Sequence, residues 1–192
     1  MSDSYKIPEE YLGGKKLKPI NDDIRYMTHA LAESCGSVDP STKVGACFVN
    51  KDGNIMSLGH NSPAWDEDKF PWGNNVKDIG EENTKYPYVY HAETNGVVNY
   101  DGNIKDFIGS TVYVTLYPCK ECTKFLSQVG VKKIVYLNKR VYDSVDMSKV
   151  IMDNTGIESV YFKDEMDTER VDFDFTKDEK ECIKVLKLKR TE

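Results

Sequence analysis

The second half of the chain alternates helical and strand-like patterns, and this alternation restricts the possible folds more than any other feature of the sequence. From His91 onward, β-branched apolar runs separate amphipathic stretches, and Gly130 and Gly156 follow two of those stretches. Such alternation is typical of β-α-β units, whose strands pair in parallel. We predict strands over residues 111–117, 131–137 and 157–162, and helices from 91, over 119–129 and over about 144–154.

The first half of the chain predicts an antiparallel opening to the same sheet. Apolar residues at helical spacing mark a helix within residues 21–36. Asp52-Gly53 stands between strand-like runs over 44–50 and 54–60, which is the strongest short-range signal of a β-hairpin. We therefore expect one α/β domain with three layers, α/β/α, and a mixed five-stranded sheet that is antiparallel at the opening hairpin and parallel afterwards.

Composition divides the chain into three parts. Residues 1–20 combine Pro, Gly and charged residues, as in an extended N-terminal arm, residues 21–162 form the domain, and residues 163–192 form a charged C-terminal segment that can pack on the same domain. Within the domain, residues 61–90 lack a sustained period but contain both tryptophans, Trp65 and Trp72. We expect this stretch to be a folded loop that faces a ligand.

Size and charge exclude several classes of protein. The 192 residues include 26 Lys and Arg against 32 Asp and Glu, a net charge of −6. This balance disfavours binding to long nucleic acids, whose affinity depends on basic side chains, but leaves a single phosphate within reach. With no apolar run of about 18 residues and no leader pattern, we expect a soluble, cytoplasmic protein without membrane partners. The odd number of cysteines, five, fits a reducing compartment.

Two short motifs carry the chemistry. His91-Ala92-Glu93 and Pro118-Cys119-Lys120-Glu121-Cys122 each stand at a predicted helix start, and residues 94–117, 24 residues, separate them. Each motif alone is weak evidence, whereas the two together are specific. A catalytic Zn²⁺ takes three nitrogen or thiolate ligands and keeps a fourth position open, and His91, Cys119 and Cys122 offer such a set. The helix N-terminus also favours the thiolate form of the cysteines.

Glu93 distinguishes an enzyme from a simple metal site. It stands two positions from His91 and is not needed as a ligand. A carboxylate beside a zinc-activated water can accept its proton and pass it to a substrate. If parallel strands feed the two helices, their N-termini lie side by side at the carboxyl edge of the sheet.

Two other interpretations of the motifs stay open. A redox Cys-x-x-Cys pair is the weaker one, because thioredoxin-like motifs follow the first strand of a different pattern. A structural zinc site normally has a fourth ligand, and no other candidate stands at a suggestive spacing. These candidates are His29, His60, Cys35, Cys47 and Cys182.

The paired motifs resemble the signature of the zinc-dependent nucleotide and base deaminases. Over roughly residues 22–162 the chain resembles the deoxycytidylate (dCMP) deaminases in particular, through the stretches 39–46, 85–93, 113–122, 131–136 and 143–144. The resemblance implies a cytidine-deaminase-like fold, hydrolytic deamination of dCMP to dUMP in support of thymidylate synthesis, and a homo-oligomer, either a dimer or a hexamer.

The resemblance also implies roles for individual residues. It implies that His91, Cys119 and Cys122 bind the zinc ion. It also implies that Glu93 protonates the ring nitrogen and the departing ammonia. The Ala92 amide binds the base carbonyl oxygen, and Asn61 binds the sugar. Further candidates for substrate binding, mainly at the phosphate end, are Lys43, Arg140, Tyr142 and Trp72.

One loop departs from the family pattern. Where members usually carry a glycine-rich Asn-Gly-x-Pro-x-Gly loop, this chain reads Asn61-Ser62-Pro63-Ala64-Trp65-Asp66. The family's loop belongs to the region implicated in binding the regulators dCTP and dTTP, so we expect weak or absent activation by dCTP. The acidic run over 66–68 offers another route, a Mg²⁺ ion bound together with a nucleotide effector.

Three rival functions remain. The chain could deaminate another substrate, such as dCTP, free cytidine or the adenosine of a transfer RNA, although its acidic charge counts against RNA. It could be a non-catalytic, zinc-binding regulatory relative, which the intact Glu93 argues against, or a structural zinc module of a larger assembly.

Overall fold

A five-stranded mixed sheet with helices on both faces forms the body of this computed structural model, which describes residues 21–140 and 145–162. The predicted N-terminal arm, the charged C-terminal segment and Tyr142 lie outside the described residues. The strands are β1 (Gly45–Val49), β2 (Ile55–His60), β3 (Ser62–Pro63), β4 (Val89–Tyr90), β5 (Thr111–Leu116), β6 (Lys133–Asn138) and β7 (Glu158–Tyr161). The α-helices are α1 (Asp22–Ser34), α2 (Val76–Ile79), α3 (Ala92–Val98), α4 (Lys120–Val129) and α5 (Met147–Thr155).

The strand order of the main sheet is β2-β1-β5-β6-β7, which confirms the predicted mixed five-stranded sheet. The hairpin pairs β1 with β2, and β1 is antiparallel to β5 as well. Parallel pairing therefore begins one strand later than expected, between β5 and β6, and continues to β7. The apolar pattern of a segment predicts that the segment is a strand, but it does not predict which strand will pair with it. The antiparallel pairing of β1 with β5 was therefore not predicted.

Alternate residues of the central strands point to opposite faces of the sheet and form two separate cores. On one face, Phe48 and Val112 pack with Leu126 of α4, together with apolar residues of α3 and α5. On the other face, Cys47 and Tyr113 pack with the apolar stripe of α1. Helices thus cover both faces, and the predicted three-layer α/β/α architecture is confirmed.

A glycine pair sets the distance between α3 and the sheet. A Cβ atom at Gly59 of β2 would lie 2.2 Å from the Gly96 nitrogen and 2.4 Å from the Ala92 carbonyl oxygen. A Cβ atom at Gly96 would lie 2.4 Å from Cε2 of Phe48. Gly59 is needed because a Cβ atom there would meet backbone, and Gly96 is needed because a Cβ atom there would meet the buried Phe48 ring. This close contact fixes the first turn of α3, which carries the His-x-Glu motif.

The C-terminus of α4 lies where the sequence predicts it, whereas the N-terminus of α5 lies later in the chain than predicted. Gly130 ends α4 in the left-handed conformation, with φ +90°, as the sequence predicts. α5 begins at Met147, later than expected, because Asp146 caps it by accepting a hydrogen bond from the Lys149 amide.

The stretch 61–90 is folded, although it has no long helix or strand. β3 and β4 pair antiparallel at its two ends, with Ser62 opposite Tyr90. Between them, Trp65 contacts the rings of Phe70 and Tyr88, with ring centroids 4.9 and 5.1 Å apart. Across the described ranges of the chain, no helix combines the length and the apolar character that crossing a membrane requires.

Candidate active site and metal centre

Both halves of the sequence motif begin helices at one edge of the sheet. β2 and β5 run in the same direction because each is antiparallel to β1, so the chain leaves both strands at the same edge. The pairing of β3 with β4 brings His91 back to the end of β2. His91 is the N-cap residue of α3, and Cys119 is the N-cap residue of α4. The two helix starts therefore meet, as predicted, but the strand directly before α3 is β4 of the small two-stranded sheet and not a parallel strand of the main sheet.

The side chains of His91, Cys119 and Cys122 converge at this edge. Nδ1 of His91 lies 3.1 Å from Sγ of Cys122 and 3.4 Å from Sγ of Cys119. All three ligand atoms lie within 4.8 Å of one another. Tetrahedral bonds of about 2.0–2.3 Å to one zinc ion place neighbouring ligand atoms roughly 3.5 Å apart, so the cluster fits Zn²⁺ closely.

The cluster has three members, and a structural zinc site would need a fourth. Of the candidate fourth ligands, His29, His60, Cys35 and Cys47 do not join the cluster in the described part of the chain. Cys182 lies outside the described residues. A set of one nitrogen and two sulfur atoms with one position left open is typical of catalytic zinc.

The electrostatics of the cluster favour a thiolate at Cys119 and a thiol at Cys122, because the hydrogen bond with Cys119 and burial raise the pKa of Cys122. The hydrogen bond from Cys122 lowers the pKa of Cys119 to about 3, opposed by burial and assisted by His91. The hydrogen bond with Cys119 raises the pKa of His91 in turn. A thiolate at a helix N-terminus is the form that binds zinc.

Glu93 lies in the first turn of α3, with 4% of its surface exposed. Burial raises the pKa of this carboxyl, although the nearby His91 partly opposes the shift. A carboxyl group with a raised pKa, next to a metal cluster and facing a cavity, is suited to accept and return a proton.

An open cavity of about 260 Å³ adjoins the cluster. Four of the residues predicted to act in catalysis or substrate binding line it together with His91, and these are Asn61, Ala92, Glu93 and Arg140. Two other candidates, Lys43 and Trp72, are not among its lining residues. Their roles in binding the substrate, like that of Tyr142, stay predictions.

Trp72 belongs to the aromatic contacts of the 61–90 stretch. Its ring centroid lies 4.5 Å from that of Phe70, and its indole N–H donates a hydrogen bond to the Glu67 carbonyl oxygen at 3.0 Å. These contacts hold the loop together, and they describe a packing residue.

A buried ion pair in the cavity wall was missed by the motif analysis. Nζ of Lys85 lies 2.6 and 2.8 Å from the two carboxylate oxygens of Asp39, and the two side chains are 5% and 2% exposed. The residues are 46 positions apart, so no local pattern could pair them. The sequence contained one indication of their importance, because Asp39 begins the stretch 39–46 and Lys85 begins the stretch 85–93, both of which resemble the family.

A three-layer α/β/α domain with a His–Cys–Cys cluster beside a buried carboxylate defines a zinc-binding hydrolytic domain. The family model described as the cytidine and deoxycytidylate deaminase zinc-binding region matches residues 20–138. The chain belongs to this family.

Curated relatives and a solved structure support the same assignment. A deoxycytidylate deaminase of Pongo abelii is 33% identical over 153 residues, which cover 78% of this chain and 84% of the relative. A probable deoxycytidylate deaminase of Caenorhabditis elegans is 38% identical over 74% of this chain and 73% of the relative. The structure of a dCMP deaminase from the cyanophage S-TIM5 in complex with dCMP and dUMP has a TM-score of 0.52 at 27% identity, covering 75% of this chain and all of that chain.

The cluster geometry predicts one zinc ion per chain. We expect elemental analysis to find this ion in the wild-type protein and to find almost none in a Cys119→Ala, Cys122→Ala double variant. Because the ligands join two separate helix starts, removal of the metal also lowers the melting temperature.

The control for the zinc experiment is Cys35→Ala, since Cys35 is exposed and lies at the C-cap of α1. This variant keeps its zinc. Full retention of zinc by the double variant, or a wild-type protein without zinc, would show that the ligand set is wrong.

Proposed function

We propose that this protein hydrolyses dCMP to dUMP and ammonia and so supplies dUMP for thymidylate synthesis. The observation that carries the proposal is the placement of Glu93, which is buried beside His91 and lines an open cavity of about 260 Å³ together with Asn61 and Arg140. The names of the curated relatives and the dCMP-bound cyanophage structure support dCMP as the substrate.

The metal ligands and Glu93 have different roles in this reaction. Bound to His91, Cys119 and Cys122, Zn²⁺ supplies Lewis-acid chemistry that makes water nucleophilic near neutral pH. Glu93 accepts the proton of the water that adds to C4 of cytosine and delivers it to ring nitrogen N3. Glu93 then accepts the proton of the new hydroxyl group at C4 and delivers it to the exocyclic amine, so that the C4–N bond breaks, ammonia leaves and a carbonyl remains at C4.

Substrate contacts follow from what each lining residue offers. The Ala92 amide, at the start of α3, donates to the carbonyl oxygen of the base, and Asn61 contacts the sugar. Arg140 is exposed at the cavity and offers a planar cation to the phosphate. Lys43, Tyr142 and Trp72 are the other sequence-based candidates, and of these Lys43 and Trp72 do not line the cavity.

We infer from the family that the protein works as a homo-oligomer, a dimer or a hexamer, in the cytoplasm. Two forms of the enzyme are then possible. It is either regulated by dCTP and dTTP, as the family resemblance implies, with Mg²⁺ bound together with the effector, or it is not regulated by these nucleotides. The contacts of Asp66 support the unregulated form. One of its carboxylate oxygens accepts a hydrogen bond from the Asp68 amide, and the other lies 3.6 Å from Nζ of Lys69.

The substrate is tested by incubating the zinc-loaded protein with dCMP, CMP, cytidine and dCTP and following the loss of cytosine absorbance. We expect kcat/KM to be highest for dCMP, because Arg140 lies at the cavity to meet a phosphate. A higher kcat/KM for cytidine or dCTP would mean that the protein is a nucleoside deaminase or a nucleoside triphosphate deaminase instead. No release of ammonia from any of the four would reject a cytosine deaminase.

The variant Glu93→Gln keeps the shape of the side chain and removes its capacity to carry a proton. Turnover of dCMP should fall by about 10²-fold or more, which is the typical contribution of a general acid/base group. Zinc content and the circular dichroism spectrum should not change.

The matched control is Glu121→Gln, because Glu121 is an exposed carboxylate in the first turn of α4, paired with Lys124. Its turnover should stay close to that of the wild type. If Glu93→Gln were as active as this control, the proton transfer would belong to another group.

Regulation is tested by measuring the rate against dCMP concentration with and without dCTP and Mg²⁺. Since the 61–66 loop lacks the glycines that let backbone approach a triphosphate, we expect a hyperbolic curve that dCTP does not change. A marked shift of the curve to lower dCMP on adding dCTP with Mg²⁺ would place an effector site on the enzyme after all.

A further inference from the structure

Asp39 and Lys85 form a closed hydrogen-bond network in the wall of the cavity. The Lys85 ammonium donates to both carboxylate oxygens of Asp39 and to Oγ of Ser41 at 2.7 Å, so its three protons all have acceptors. The carboxylate also accepts from the backbone amides of Ser41 and Thr42, each at 2.9 Å. Lys85 therefore has no donor left to offer a ligand.

The network holds the Asn61 side chain from one side. Nδ2 of Asn61 donates to Oδ2 of Asp39 at 3.1 Å and to the Thr42 carbonyl oxygen at 3.0 Å. Oδ1 of Asn61 accepts from the Val44 amide at 2.7 Å. A carboxylate can only accept hydrogen bonds, so an ionised Asp39 forces the amino group of Asn61 towards itself and the oxygen away.

The ionised state of Asp39 depends on Lys85. Burial alone would raise the pKa of this carboxyl, but the Lys85 hydrogen bond and the backbone amides of Ser41 and Thr42 bring its pKa below the usual value. Without the ammonium, a carboxylate at 2% exposure would be an uncompensated buried charge. A protonated Asp39 could donate as well as accept, and the orientation of Asn61 would then depend on the Thr42 carbonyl oxygen and the Val44 amide alone.

The fixed orientation decides what Asn61 can bind. Both protons of its amino group are used, and a carbonyl oxygen has two lone pairs, of which the Val44 amide takes one. Asn61, which lines the cavity, can thus serve a ligand as an acceptor only. The two neutral donor groups of dCMP are its exocyclic amine, which reacts beside Glu93, and its 3′ hydroxyl, which is left for Asn61.

We propose that the Lys85–Asp39 ion pair is a positioning unit that, together with the Thr42 carbonyl oxygen and the Val44 amide, holds Asn61 as a hydrogen-bond acceptor and so strengthens the preference of the site for a substrate with a free sugar hydroxyl. This inference rests on the proposed function, because it takes dCMP as the substrate. Lys85 and Asp39 act through Asn61 and do not touch the substrate themselves.

The test compares dCMP with 2′,3′-dideoxycytidine monophosphate, which lacks the hydroxyl, as substrates of wild-type protein and Lys85→Met. The wild type should prefer dCMP in kcat/KM by about 5- to 10-fold, the value of one hydrogen bond. In Lys85→Met this preference should become clearly smaller, because one of the three contacts that orient Asn61 is disturbed, and the loss for dCMP should appear in KM rather than in kcat.

A second variant and a control keep the result interpretable. Lys85→Met with Asp39→Asn leaves no unpaired charge at the site of the ion pair, so it should be more stable than Lys85→Met alone. It should reduce the preference equally, since a neutral amide can turn either face to Asn61. Lys149→Met removes the same kind of Lys–Asp contact from the exposed surface of α5 and should keep the wild-type preference.

Two outcomes would overturn the inference, and they differ from each other. If both Lys85 variants turn over more slowly but keep the full preference for dCMP, the ion pair is only structural, while the proposed function stands. If the wild-type protein deaminates neither nucleotide, the proposed function fails and the inference fails with it.

Discussion

The position of β1 between β2 and β5 is the constraint on which the candidate site depends. Because β1 is antiparallel to both neighbours, β2 and β5 end at the same edge of the sheet, although β1 separates them. The glycine contact between β2 and α3 then lets the first turn of α3 lie close to the sheet. A nitrogen ligand and two sulfur ligands from distant parts of the chain meet there without any irregular backbone, since no non-glycine residue of the described chain has a positive φ.

Two buried carboxyl groups line one cavity, and their surroundings push their pKa values in opposite directions. Burial raises the pKa of Glu93, whereas Asp39, next to the Lys85 ammonium and two backbone amides, has a lowered pKa. Pairs of this kind divide the roles in many active sites, with one group exchanging protons and the other staying ionised. Here Asp39 contacts Asn61, whereas Glu93 lies beside His91 of the metal cluster. In the proposed function, Glu93 carries the proton and Asp39 helps to position the substrate, so the cavity separates these two tasks.

The sequence predicted the parts of the fold and site that depend on local patterns. The hairpin at Gly53, the end of α4 at Gly130 and the meeting of the two motif halves all follow from spacing and turn chemistry, and the family resemblance was confirmed. Contacts between distant segments were not predictable in this way. The antiparallel pairing of β1 with β5 and the buried Lys85–Asp39 pair each join residues whose proximity is decided only when the layers pack.

X-ray absorption spectroscopy at the zinc edge of the purified, zinc-loaded protein tests the central claim most directly, namely that two helix starts build an open, three-ligand metal site. The account predicts two sulfur ligands at about 2.3 Å, one imidazole nitrogen at about 2.0–2.1 Å and one further light atom from solvent. The same measurement on Cys119→Ala should lose one sulfur ligand. A shell of three or four sulfur atoms, or a second imidazole, would mean a closed structural site and would contradict the account.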